Sequence, residues 1–107
     1  MSQQQAILRA ITYMDAHLRD SISVADVAAA AGYSLYHFCR VFGTHARQTP
    51  YDYLIRRRMT EAAEAVLHSE QRIIDIALDY QFDSHEGFTR AFGRMFGCAP
   101  SEARQQG

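Results

Sequence analysis

The sequence predicts an all-α fold: two helix-turn-helix subdomains, about seven helices in total, joined by a long central helix. Three observations carry this. Apolar residues recur at helical spacing almost throughout, and no period-two run or Asn-Gly hairpin signal occurs. Serine, proline and glycine stand where helices start and stop. A pattern also repeats at a fixed offset of 50, pairing Ser34 with Ser84, Phe38 with Phe88, Arg40 with Arg90, Phe42 with Phe92, Gly43 with Gly93 and Pro50 with Pro100.

Ile7, Ile11, Met14 and Leu18 form one face of a helix near residues 4–18. Ser23, with Asp26 three residues on, caps a second helix that "VADVAAAA" carries to Gly32, a left-handed terminator. Ser34 caps a third helix near 35–46 whose buried face is Phe38, Val41 and Phe42. Thr49-Pro50 opens the fourth, to about His68, with Tyr51, Ile55, Met59, Ala62 and Val66 as its stripe. "IIDIALDY" gives a short fifth helix. Asp83 or Ser84 caps a sixth, about 84–95, with Phe88, Phe92 and Phe96 inward, and Pro100 begins a seventh. Met14, Met59 and Met95 read as core. The organisation is residues 1–49 for the first subdomain, 50–68 for the linking helix and 69–107 for the second.

Upstream of the turn the offset falls to 49: Asp26, Val27, Ala28 and Tyr33 match Asp75, Ile76, Ala77 and Phe82. The second copy therefore holds one extra residue near its turn. Short helix, tight turn and capped second helix is the helix-turn-helix pattern, and two copies in register with arginine at the same place make it specific.

The composition fits one globular unit or two small ones sharing a core: 107 residues, 48% hydrophobic, 21% charged, formal net charge −1. No apolar run approaches the roughly 18 residues of a membrane span, and "MSQQQAILRA" lacks the layout of a secretion signal. Cys39 and Cys98 read as free thiols, so a cytoplasmic location is expected. All eleven basic residues are arginine. Ser34 to Pro50 holds Arg40, Arg47, His37 and His45 and no acid, a local positive surface on a neutral chain.

A helix of about 10–12 Å diameter fits the DNA major groove. On the third helix Tyr36, Arg40, Gly43 and Arg47 lie opposite the buried face, with Cys39 beside them. Arginine forks onto guanine O6 and N7, tyrosine offers an edge or hydroxyl, and glycine admits close backbone approach. On the sixth helix His85, Glu86, Thr89, Arg90 and Arg94 face outward. Thr89 suits a thymine methyl, and Glu86 suits the cytosine N4 amino group. The base-contacting candidates are thus Tyr36, Cys39, Arg40, His85, Glu86, Thr89 and Arg90. The phosphate-contacting candidates are Ser34, His37, Arg47, Arg57, Ser84 and Arg94.

Plainer readings stand beside these. An exposed arginine is commonly only solvated, and Tyr36 can snorkel. Cys39 can be a small filler. Arg56, Arg57 and Arg58 read as a solvated face paired with Glu61. His17, His45 and His68 read as structural or surface residues. His37 and Cys39 point to different sides of their helix and make a poor metal pair. No metal site, cofactor or catalytic centre is read. The competing function is a helical protein–protein module without DNA binding.

"IIDIALDYQFDSHEGFTRAFGRMFGCAP" resembles the signature of the AraC/XylS transcription regulators, and "SVADVAAAAGYSLYHFCRVF" resembles their first helix-turn-helix. The likeness covers nearly the whole chain, includes "RRRMTEA", and is nearest to the MarA/SoxS/Rob-like branch. It implies seven helices in two subdomains and base-reading roles for Tyr36, Cys39, Arg40, His85, Glu86, Thr89 and Arg90. It also implies promoter DNA bound by a monomer, activation through RNA polymerase, and no enzymatic reaction. Four positions depart from the pattern. Gln81 replaces a common glycine, Cys39 and Glu86 replace common glutamines, and Gly87 removes a side chain expected at DNA.

Overall fold

The computed structural model describes residues 2–107, and among them every regular element is a helix. In order these are α1 (Gln3–Ala16), α2 (Val24–Ala30), α3 (Leu35–Ala46), α4 (Pro50–His68), α5 (Ile73–Asp79), α6 (His85–Phe96) and α7 (Pro100–Gln106). The chain forms two compact units that meet within α4, one ending at Arg57 and the other running from Arg58 to Gly107.

In the first unit α1, α2 and α3 pack on one another. Their core holds Ala10, Met14, Val27, Phe38 and Phe42, with Leu54 of α4. Both ends of α2 are fixed locally. The Ser23 hydroxyl accepts from Asp26 N at 3.1 Å while the Asp26 carboxylate accepts from Ser23 N at 2.9 Å, a complete capping box. α1 ends at Ala16 rather than 18, because His17 Nδ1 and Asp20 Oδ2 close a turn at 2.7 Å; Leu18 is buried nonetheless.

In the second unit Met59, Ala62 and Val66 of α4 meet Ile76 and Ala77 of α5 and Phe88 and Phe92 of α6. α7 packs on α6 and secures the end of α4: Arg104 Nε donates to the Val66 carbonyl at 2.8 Å. That carbonyl lies in the last turn of α4, where no further helical N–H is available to it.

The two helix-turn-helix turns are built alike. Tyr33 N donates to Ala28 O and Phe82 N to Ala77 O, each at 2.9 Å. Gly32 N donates to Ala29 O at 3.0 Å and Gln81 N to Leu78 O at 3.1 Å. This is the paired bonding of a Schellman terminus, which needs a left-handed residue. Gly32 supplies it with φ +82° and Gln81 with φ +69°. The extra residue of the second copy is Asp83, inserted between Phe82 and the Ser84 cap, after the turn has closed. The exchange is reversed at the far end of α3 and α6, where Arg47 is left-handed (φ +57°) and its counterpart Gly97 takes φ +82°.

A left-handed non-glycine residue costs about 1–2 kcal/mol, partly offset by the lower entropy of its unfolded chain. Gln81→Gly and Arg47→Gly are each expected to raise stability by about 0.5–1 kcal/mol, near 2–6 °C in melting temperature. Thermal unfolding of the single and double variants checks this. The two sites are independent, so the gains should add.

Several core assignments are corrected. Tyr51 is 59% exposed, Met95 41% and Phe96 44%, although Phe96 still stacks on Phe92 at 4.7 Å between ring centroids. Tyr51 lies on the first turn of α4, and Met95 and Phe96 on the last turn of α6. Arg58 is not on a solvated face. It is 5% exposed, on the stripe of Leu54 and Ala62.

Candidate nucleic-acid interface

The roll of α3 about its axis is set by its aromatic side. Phe38 and Phe42 are fully buried with centroids 5.6 Å apart, and Tyr53 of α4 meets Phe42 edge-on at 5.9 Å. With that side fixed, Tyr36, His37, Cys39, Arg40 and Arg47 are exposed. Tyr36 is 74% exposed, more than snorkelling alone requires. The Arg40 guanidinium lies 5.9 Å from the Tyr36 ring centroid, so the ring braces the arginine by a cation–π contact. Ser34 Oγ accepts from His37 N at 3.3 Å, and the His37 ring stacks on Tyr33 at 4.7 Å. The N-terminal turn of α3 is thereby held locally. His45 Nε2 and Gln3 Oε1 lie 3.2 Å apart, tying the end of α3 to α1.

α6 repeats this scaffold. Phe88 and Phe92 are buried, and Phe82 meets Phe88 edge-on at 5.1 Å. Ser84 Oγ accepts from Gly87 N at 3.0 Å. His85, Glu86, Arg90 and Arg94 are exposed and Thr89 is half-buried. His85, Glu86, Thr89 and Arg90 line one shallow depression. A Cβ on Gly87 would stand 3.1 Å from Ser84 Oγ. The first copy shows the adjustment such a Cβ requires, since with His37 in that place the cap bond is 3.3 Å.

Thus the structure gathers Tyr36, Cys39 and Arg40 on one face of α3, and His85, Glu86, Thr89 and Arg90 on one face of α6. Arg57 is drawn elsewhere. Its Nε is 3.1 Å from Asp15 Oδ1, and the Tyr53 hydroxyl donates to the same oxygen at 3.5 Å. Burial, then the Asp15 carboxylate, push the Tyr53 phenol above its ordinary pKa, with Arg57 opposing. Arg57 thereby braces α4 against α1. Sequence spacing could not show this pair, because Asp15 and Arg57 are 42 positions apart. Cys39 is an exposed free thiol and Cys98 a half-buried one. Among the described residues no group of three or more His, Cys, Asp or Glu side chains stands together, and no helix is long and apolar enough to cross a membrane.

A model of a family described as "Helix-turn-helix domain" matches residues 27–106. The HTH-type transcriptional regulator YbfP of Bacillus subtilis is 38% identical over 104 residues, covering 97% of this chain and 35% of that protein. The regulatory protein SoxS of Escherichia coli is 36% identical over 106 residues, 99% of each chain. Among solved structures, a transcriptional regulator with an AraC-type DNA-binding domain from Chromobacterium violaceum superposes with a TM-score of 0.89 at 25% identity, covering 96% of this chain and 92% of that one. The chain thus spans about a third of one relative and nearly all of another. Two capped and braced arginine helices, a matching domain model and full-length likeness to a regulator lead to one assignment: the chain belongs to the AraC-type family of helix-turn-helix transcription regulators.

Proposed function

We propose that the chain regulates transcription by binding a specific duplex DNA site as a monomer, with α3 and α6 as its recognition helices in successive major-groove segments. The observation that carries this is the pairing of Arg40 and Arg90. They are exposed at the same position of two separately packed, serine-capped helices. Dimeric helix-turn-helix proteins obtain two recognition helices by symmetry. This chain carries both, so its site has no need to be palindromic. Tyr36, Cys39 and Arg40, with His85, Glu86, Thr89 and Arg90, read base edges. Ser34, His37, Arg47, Arg57, Ser84 and Arg94 hold phosphates. The protein acts in the bacterial cytoplasm at the nucleoid, and the family resemblance supports activation through contact with RNA polymerase.

The test follows from helical phase. B-DNA turns once in about 10–10.5 base pairs, so five inserted base pairs carry the second half-site to the opposite face. Footprints and affinities over inserts of zero, five and ten base pairs should show the joint footprint lost at five. Affinity should fall there to that of one unit. Undiminished affinity at five would leave one copy reading DNA. Absence of any salt-dependent duplex binding would favour the protein–protein module instead.

A further inference from the structure

The two recognition faces share a scaffold and differ in what stands four residues before the arginine. In α3 that residue is Tyr36, whose ring braces Arg40. In α6 it is Glu86, at the edge of the depression it shares with His85, Thr89 and Arg90. The spacing permits a Glu86–Arg90 ion pair, yet neither side chain takes an ion-pair partner among the described residues. The face therefore offers a bare acceptor and a bare donor about 6 Å apart along the axis, a little under two base-pair steps of about 3.4 Å.

A carboxylate near phosphates is repelled unless a base donor meets it. In the major groove, guanine presents only acceptors at N7 and O6, and thymine presents O4 and a methyl group. Adenine places the acceptor N7 beside its N6 amino group. Cytosine alone presents the N4 donor with no acceptor of its own next to it. A carboxylate there penalises mismatched sites as well as rewarding the matched one.

Building on the DNA-binding reading above, we infer that Glu86 is a specificity-determining residue. It requires cytosine within two steps of the guanine that Arg90 reads. Glutamine pairs with adenine N6 and N7, so the proposal predicts a switch of base and not merely a loss.

The experiment selects bound sites from random duplex DNA with the full 107-residue chain, Glu86→Gln and Glu86→Ala, and then measures affinities for the four bases at the selected position. Thermal melts of all three proteins establish that each is folded. The wild type should prefer cytosine by about fivefold or more, and Glu86→Gln should prefer adenine. Glu86→Ala should show no preference there, and both variants should bind random DNA more tightly than the wild type. The proposal is overturned if Glu86→Gln changes affinity for every sequence by the same factor, in either direction. It is overturned equally if the position shows no cytosine preference in the wild type. Failure of the wild type to select any site would instead overturn the DNA-binding reading itself.

Discussion

Phe88→Ala is expected to destabilise the second unit by about 3–5 kcal/mol. The ring is fully buried, lies edge-on to Phe82 at 5.1 Å, and packs within the cluster of Met59, Ala62, Val66, Ile76 and Phe92. Its removal leaves a cavity that α5 and α6 cannot both close, because each is already held by a cap or a turn at its end. Whole domains of this size are stable by only about 5–15 kcal/mol, so much of the available margin disappears. The first unit has its own core around Phe38 and Phe42. Unfolding of the variant should therefore split into two steps, residues 58–107 opening first. Amide exchange reports which segment opens; a single step at a lowered midpoint would refute the independence of the two cores, and an unchanged midpoint would refute the destabilisation. The footprint should contract to the half-site of α3.

Arg40→Ala and Arg90→Ala are each expected to weaken binding to the preferred site by about 1–3 kcal/mol, and by less on random duplex. Both guanidinium groups project from helix faces whose opposite sides are locked by buried phenylalanines, so each side chain starts from a fixed backbone position. A base-reading fork lost from a fixed position is not replaced by its neighbours. Titrations with both DNAs at one salt concentration separate the roles. Equal losses on the two would make these residues phosphate clamps. Neither change touches a core side chain, so melting temperatures should barely move.

Most of the fold was legible because its signals are local. Ser23, Ser34, Ser84 and the Thr49-Pro50 pair mark helix starts by their own side chains, and the structure places helices at each. The offset repeat revealed the second copy and its one extra residue, which the structure identifies as Asp83. Burial was less legible. Helical period gives the direction in which a side chain leaves the axis, not whether a neighbouring element reaches that height. Phe96, moreover, follows Phe88 by eight residues and has rotated about 80° from it. Arg58 could have been found, since it stands four residues from both Leu54 and Ala62. Its charge invited a solvated reading that the stripe contradicts. The faces of α3 and α6 were readable for the same reason as the cores opposite them. What no pattern announces is a partner distant in sequence, such as Asp15 for Arg57.

The chain holds eleven arginines and no lysine, and Arg40, Arg47, Arg90 and Arg94 present their guanidinium groups on exposed surface at α3 and α6. That has a consequence for control. A lysine-rich DNA binder can be silenced by acetylation, which erases one charge per modified amine. Here no side-chain amine exists to be acylated, and a guanidinium keeps its charge at any pH compatible with life. The grip on the duplex is chemically permanent in that sense. Methylation would spare the charge and spoil only the two-pronged bond to guanine that the proposed function assigns to Arg40 and Arg90. Chemical marking of this surface would therefore change which sequences are preferred while leaving the attraction to DNA in place.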